Sequence, residues 1–501
     1  MFTAPDPERL RLRQASRAVI GVGLAVLAVA ATGLDVRAAI TGGLAALLAL
    51  FTVTDADVRG QAGTTALLPL VGLPVLASAA VLHDAPPLRD AAFLGIVFAG
   101  VYARRYGPRG NALGIFAFMT FFVAQFLRPA PQDLPPLAGA VLLALAVAAL
   151  VRFGLWPIER RTPPPAAPPP GDERGLRRPT TRQAVQATVA CGLALLAGQA
   201  LSHERWYWAV GAAWWIFVNT ASRGETLVRG FRRVLGTVVG IAAGLLVALP
   251  VDGHPAATAG IVAVCVFGIF YTAAVSYSWM MFFVTVMVGL LYGLLGVLDA
   301  GLLALRVAET LIGALGAAAA VVFVLPVTTH ATTNAWIRRA LVALQRGTED
   351  AARRLAGDAA ADPARRVAEL ELLLGRARLA LAPLVHPLNP YRERKARARL
   401  VLGLLDECAA RAHALAGIAA DPEASHDARL TEGCQRVEEA VRRLLRQQAP
   451  GAAEDRRADA ECAHRQPEGD RAVAHLHALE AALAGLAGPL HSAPRGPLRT
   501  A

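Results

Sequence analysis

Lysine is almost missing from this chain: Lys395 stands alone among 50 basic residues, and the other 49 are arginine. A Walker A loop needs a lysine in a Gly-rich turn to reach the phosphates. Lys395 is not in such a turn, so ATP hydrolysis by that route is excluded. HExxH, GxSxG and a GxGxxG placed between a strand and a helix are absent too, and enzyme readings lose their support with them. Cysteine is sparse. Cys191, Cys265, Cys408, Cys434 and Cys462 form no CxxC pair, so neither a zinc site nor a disulfide framework is indicated. No cofactor and no metal is expected.

Charge is scarce where hydrophobicity is dense. The chain has 501 residues, 55% of them hydrophobic, and a net charge of +12. Its mean hydropathy is +0.44. The apolar excess is uneven: residues 17–155 and 183–326 are long apolar blocks with short polar gaps, whereas 327–501 is charged throughout. A hydrocarbon core about 30 Å thick needs roughly 20 apolar residues of helix, and several segments reach that length. The fold class expected is therefore all-α: a polytopic membrane protein. The arginine richness reads as a composition bias, and a nucleic-acid partner is not expected, because much of the excess lies on loops beside spans.

The N-terminus carries Arg9, Arg11, Arg13 and Arg17 before an apolar run, and Ala28-Val29-Ala30 resembles a signal-cleavage site. An internal repeat argues against cleavage. Arg13-Gln14-Ala15 with Gly23-Leu24-Ala25 and Leu27-Ala28 returns as Arg182-Gln183-Ala184 with Gly192-Leu193-Ala194 and Leu196-Ala197. The second copy sits mid-chain, where a signal peptide has no role. A duplicated unit in parallel orientation accounts for both, as in some transporters.

Six spans are read in each half, near 17–34, 38–54, 64–82, 89–103, 111–127 and 136–155, then near 183–201, 206–221, 232–249, 256–274, 279–298 and 302–325. The domains expected are 1–155 (first transmembrane half), 156–182 (proline-rich cytosolic linker), 183–326 (second half) and 327–501 (a cytosolic helical domain). With the N-terminus inside, the inner loops of residues 1–326 hold 19 arginines and the outer loops four, namely Arg37, Arg89, Arg128 and Arg205. That bias sets both termini in the cytoplasm of a bacterial inner membrane. In the tail, Ile337, Leu341, Leu344, Ala351 and Leu355 recur at helical spacing, as do Leu430, Cys434, Val437, Val441 and Leu444. The basic run Arg392 to Arg399 reads as a solvated helix face, with contact to anionic lipid heads as the alternative.

Segment 222–244 is the most distinctive. Gly236, Gly240 and Gly244 are spaced by four, so they share one helix face and permit close helix packing. Arg229, Arg232 and Arg233 stand at the entrance of that helix, where a cationic mouth concentrates anions. Positive-inside topology is the plainer account of them. Arg306 and Glu309 lie in the last span at i, i+3 spacing, which predicts a pair. Arg306 is near enough to the outer surface to snorkel, whereas Glu309 is deeper and is the candidate for proton coupling. Trp206, Tyr207 and Trp208 fit an outer aromatic belt. Trp214 and Trp215 lie deeper, where packing is the commoner role and stacking on a substrate the alternative. Asn219 and Gln125 are intramembrane polar groups with a helix-bridging or a substrate role, and Asp299 reads as a loop residue.

The string Arg233-Val-Leu-Gly236-Thr237-Val-Val-Gly240, after a Trp-rich span and a basic loop, resembles the fusaric acid resistance (FUSC) family. That family includes the aromatic acid exporters, and the plant aluminium-activated malate transporters are similar. Arg306-x-x-Glu309-Thr310-Leu-Ile-Gly313 resembles the family's last span. The likeness is best over 180–326. Many members carry a large cytosolic domain between the halves, reduced here to the linker. The resemblance implies export of organic, often aromatic, carboxylic acids by secondary transport, with Arg229, Arg232, Arg233, Arg306, Glu309, Trp214, Trp215 and Asn219 along the pathway. A passive anion channel and a major facilitator are the alternatives. The usual basic loop of the latter is poorly matched by Asp55-Ala-Asp57-Val-Arg59-Gly60. The partners expected are membrane lipid and small organic anions, together with a homo-oligomer and, as in some members, a periplasmic adaptor protein.

Overall fold

The structure, a computed structural model, describes residues 9–154, 175–218, 220, 222–251, 254–296, 300–326, 329–358, 360–385, 392–419, 428–447 and 471–491. No strand occurs among them. The chain divides into two compact units, Met1–Val327 and Thr328–Ala501.

The first unit holds α1 (Leu10–Ala31), α2 (Val36–Thr52), α3 (Val58–Val81), α4 (Pro86–Tyr102), α5 (Gly107–Leu127) and α6 (Leu134–Gly154), followed by α7 (Pro179–Leu201), α8 (Tyr207–Phe217), α9 (Arg223–Val251), α10 (Pro255–Ala273), α11 (Tyr277–Leu294) and α12 (Ala300–Phe323). Among the described residues, nine helical stretches are long and apolar enough to cross a membrane, the one from Pro86 to Leu127 holding two helices. Within that stretch α4 and α5 are two helices folded back on each other. Gly107 turns the chain at φ 76°, a left-handed conformation that favours glycine. Gly100 and Gly114, seven residues to either side, bring the two backbones into contact. The protein is thus an all-α, multi-pass membrane protein.

The halves share one pattern of helix neighbours. In the first, α1 packs on α2 and α6, α2 on α6, and α3 on α5. In the second, α7 packs on α8 and α12, α8 on α12, and α9 on α11. Across the seam, α1 meets α10 and α4 meets α7, so each half's first helix packs on the other half's fourth. A duplicated unit related by a two-fold produces these paired contacts.

In both halves the second helix is short and its C-terminal end is met by an arginine. Helix α2 ends near Val53. The buried Arg152, at the end of α6, donates from Nη1 to the Val53 carbonyl and from Nη2 to the Ala49 carbonyl, both at 2.9 Å. Helix α8 stops at Phe217, four residues short of the expected end at 221, because Val218 turns to extended backbone (ψ 121°). Arg104 Nη1 donates to the Phe217 carbonyl at 2.7 Å. Carbonyls left over at a helix C-terminus attract cations. At 11 residues, α8 is roughly 16 Å long, half of what a bilayer needs.

Helix α9 compensates. It runs 29 residues and starts at Arg223 rather than near 232. The reason is a cap: Ser222 Oγ accepts from the Glu225 backbone N–H at 3.4 Å, one half of a capping box. Asp35 and Asp57 do the same for α2 and α3, accepting from the N–H groups of Ala38 and Gly60. Helix α7 begins at Pro179, inside the stretch read as linker, with proline at its first position as helix starts favour. The linker's proline runs and Asp299 lie outside the described residues.

The second unit holds α13 (Thr329–Leu355), α14 (Pro363–Val385), α15 (Arg392–Ala419), α16 (Ala428–Gln447) and α17 (Arg471–His491). Ile337, Leu341, Leu344, Ala351 and Leu355 are buried together with Cys434, Val437, Val441 and Leu444, as the helical spacing requires. Burial pushes the thiols of Cys408 and Cys434 up to about 12 and about 11. They are core side chains rather than reactive ones.

Candidate functional site

The glycine face of α9 draws the site together. A Cβ on Gly236 would stand 2.5 Å from the Ser278 carbonyl oxygen, and one on Gly240 would stand 2.8 Å from Thr285 Cβ. Both glycines therefore hold α9 tightly against α11. Gly244 differs: its nearest atom would be Val286 Cα at 3.8 Å. Here the helices part and leave a narrow crevice, lined by Gly240, Gly244, Gly289, Tyr292 and Arg306 among others.

Arg306 forms one wall and is only 6% exposed. Its guanidinium lies over the Trp208 ring, 3.8 Å from the centroid. A desolvated cation–π contact is worth about 2 kcal/mol, against roughly 2.5–3.5 kcal/mol for placing arginine at a bilayer centre. The ring thus offsets much of the insertion cost. It does not satisfy the hydrogen bonds: Nε and Nη1 are buried and have no partner.

The expected Arg306–Glu309 pair does not form. Among the described residues no nitrogen–oxygen approach within 4.0 Å joins them, and Glu309 Oε1 is buried without a partner. Side chains on a helix lean toward its N-terminus. Arg306 therefore leans away from Glu309 and onto Trp208. Glu309, 1% exposed, is left within the electrostatic reach of Arg306, Arg205 and Tyr207.

The arginines of α9 occupy the other end of the same face. Arg233, 7% exposed, donates from Nη1 to the Tyr277 hydroxyl at 3.2 Å and to Met281 Sδ at 2.8 Å, while its Nε has no partner. Tyr277 passes the contact on to the Trp215 carbonyl at 3.3 Å. Arg229 stacks over the Tyr277 ring at 4.0 Å, and Arg232 is half-buried. Arg233 lies seven residues, or about 10 Å of helix rise, from Gly240. Arg229, Arg233 and Arg306 therefore mark one side of the α9–α11–α12 interface from end to end.

The deep tryptophans divide. Trp214 is fully buried and stacks on Phe118 with ring centroids 3.9 Å apart, so that face is closed to a ligand. Trp215 is half-buried and meets Trp214 edge-on. Gln125 is buried on α5 with Nε2 unpartnered. Asn219 lies outside the described residues. Three aromatic residues missed in the sequence complete the site: Trp208, Tyr277 and Tyr292. Trp208 reads from the sequence as part of the outer belt, and only the packing of α8 against α12 brings it to Arg306.

The fold and this site define a multi-pass helical membrane protein with a buried arginine, Arg306, at a crevice in its second half. That half carries a fusaric acid resistance protein-like domain: residues 193–320 match the family's model. The match covers every residue that lines the crevice, and it supports a membrane-transport or efflux role. No curated protein matches the chain.

Proposed function

We propose that this protein is a secondary transporter of a bacterial inner membrane that exports small organic acids, aromatic carboxylates among them. The observation that carries the reading is Arg306, buried at the crevice with Nε and Nη1 unpartnered and, among the described residues, no ion pair on the protein. Charged groups inside a membrane domain that lack a fixed counter-charge mark a path for ions of the opposite sign. The basic entrance at Arg229, Arg232 and Arg233 gathers anions from the cytoplasm, and Arg306 receives them further along. The arginine bias of the loops supports a cytoplasmic side for both termini and for that entrance. The FUSC-like domain supports the same reading, as does the short α8, since interrupted helices frame binding sites in transporters.

Coupling runs through Glu309. Intramembrane carboxyls serve as proton relays, and this one faces Arg306, Arg205 and Tyr207. An anion arriving at Arg306 and a proton arriving at Glu309 reach neighbouring turns of α12.

Inverted vesicles loaded by radiolabelled benzoate uptake test the reading. Uptake against the concentration gradient, driven by an acid interior and abolished by nigericin, is the expected result. Flux indifferent to the pH gradient points to a passive channel, and absence of flux for any organic anion overturns the transport reading. Glu309→Gln is expected to keep benzoate exchange but lose its response to the pH gradient.

A further inference from the structure

Two arginines, one from each half, are fixed at the end of α8 with donors to spare. Arg104 holds the Phe217 carbonyl through Nη1, and its Nη2 is buried without a partner. Arg229 lies over the Tyr277 ring, whose hydroxyl donates to the Trp215 carbonyl, and its Nε is buried without a partner. Phe217 and Trp215 belong to the last turn of α8. Both guanidiniums are therefore anchored at one helix end, within each other's electrostatic reach. The acid nearby is Glu225, one turn before Arg229. Among the described residues, no nitrogen–oxygen approach within 4.0 Å joins it to Arg229 or Arg104. Like charges held together out of water repel, and buried donors are almost always satisfied. Two guanidinium edges with no acid between them fit an anion with several acceptor oxygens, and arginine forks match phosphate well.

The depth of the two arginines points to the source of that phosphate. Arg104 sits in the turn between α4 and α5. Helix α9, at 29 residues, is about 43 Å long, whereas the hydrocarbon core is about 30 Å thick. Its charged residues all fall between Arg223 and Arg233, so the excess length lies at that end, among lipid headgroups. Leu227, Phe231, Leu235 and Val238 share one face of the same turns and are 41–47% exposed. Arg232 stands on the border between this apolar face and Arg229, about 100° from Phe231 and about 60° from Arg229 around the helix. A molecule with a phosphate at one end and a hydrocarbon chain at the other meets both surfaces at once. Basic pockets between membrane helices bind such headgroups.

We infer that Arg104, Arg229 and Arg232 bind the phosphodiester headgroup of an anionic phospholipid from the surrounding leaflet, with an acyl chain along Leu227, Phe231, Leu235 and Val238. Such a lipid is a resident of the seam between the halves rather than a passenger, so its binding does not depend on the protein transporting anything.

Native mass spectrometry of the full-length protein in detergent, titrated with phosphatidylglycerol, phosphatidylcholine or inorganic phosphate, tests the site. One phosphatidylglycerol per chain is expected to bind at least tenfold more tightly than the zwitterionic phosphatidylcholine, and a hundredfold excess of inorganic phosphate should not displace it. Arg104→Gln and Arg229→Gln should each weaken phosphatidylglycerol at least fivefold, and Arg232→Gln several-fold. Arg59→Gln, at an exposed arginine in the first turn of α3, should leave it unchanged. If Arg104→Gln, which bares the Phe217 carbonyl, does not fold, the half-buried Arg232 carries the test. Equal binding of the two lipids, or a loss from Arg59→Gln as large as those from the other variants, reduces the attraction to general surface charge and overturns the site. Displacement by inorganic phosphate overturns the lipid as occupant.

Discussion

The two halves of the membrane unit are built to one plan and filled with different chemistry. Each opens a crevice where its third, fifth and sixth helices meet. In the first half it also touches α2 and is lined by Leu44, Leu48, Leu76, Phe116 and Val141, with Thr41 and Thr120 the polar members. In the second half it holds Arg306 and Tyr292. The buried arginines show the same division. Arg152, in the first half, spends its hydrogen bonds on the end of α2, with a further one from Nη2 to the Leu50 carbonyl at 3.3 Å. Arg306 spends none on protein at Nε or Nη1. A satisfied buried cation is part of the scaffold, and an unsatisfied one is a site. Duplication supplied two copies of a frame, and only one carries the features of a substrate path.

The largest effect expected is therefore functional and one-sided. Arg306→Gln should lower benzoate transport about 10–100-fold, the worth of one or two charge-assisted hydrogen bonds. Thr41→Val, at a polar member of the first crevice, should change it less than about 2-fold, since its hydroxyl serves only the Arg37 carbonyl of its own helix. Initial rates in vesicles, normalised to protein inserted, decide the matter. Equal losses from both would mean that the halves share the path.

Arg152→Met asks the opposite question. Removing the guanidinium orphans carbonyls at the end of α2 and should cost about 3 kcal/mol of stability. The thermal midpoint in detergent should fall while KM for benzoate in the surviving protein stays where it was. A changed KM at constant stability would make Arg152 a path residue and blur the contrast.

Much of this frame was legible in the residues. Every one of the twelve expected apolar segments contains a helix, because a bilayer admits little else, and the Arg-Gln-Ala repeat marked the duplication. The early stop of α8 was not legible from hydropathy, since Val218 is as apolar as its neighbours and the break is a backbone event. The start of α9 was: Ser222-Arg-Gly-Glu225 is a capping-box sequence, hidden behind the more conspicuous arginines. The Arg306–Glu309 pair was inferred from spacing along one helix, whereas a partner on another helix, Trp208, won the contact. Tyr277 and Tyr292 carried no signal at all. Their roles arise from long-range packing that spacing does not encode.

Close packing gives a middle-sized effect that should be alike in both halves. Gly236→Ala drives a Cβ to 2.5 Å from a backbone oxygen, and Gly114→Ala drives one to 2.3 Å from the Gly100 carbonyl oxygen. Each forces backbone to move and should cost about 1–3 kcal/mol. Comparable falls in thermal midpoint are expected, with larger residues at either position lowering the yield of inserted protein. Unequal falls would show that the α4–α5 and α9–α11 contacts do not bear equally on stability.

The smallest effect is the sharpest comparison. In the first half, the Phe116 ring occupies the space beside Gly72 on α3, 2.4 Å from where a Cβ would stand. In the second half, Gly244 on α9 faces the crevice with its nearest neighbour at 3.8 Å. The same type of substitution should therefore act through different quantities. Gly72→Ala must displace an aromatic ring from a packed core, and it should lower the thermal midpoint without altering benzoate affinity. Gly244→Ala meets only ordinary contact distance, so stability should stay within about 0.5 kcal/mol. The added methyl narrows the slot, and benzoate affinity should fall a few-fold. Calorimetry on the two purified variants separates the outcomes, because one moves the unfolding transition and the other the binding isotherm. If Gly244→Ala left benzoate affinity unchanged, the crevice beside it would be only an imperfection in packing. The second half would then differ from the first in its charges alone.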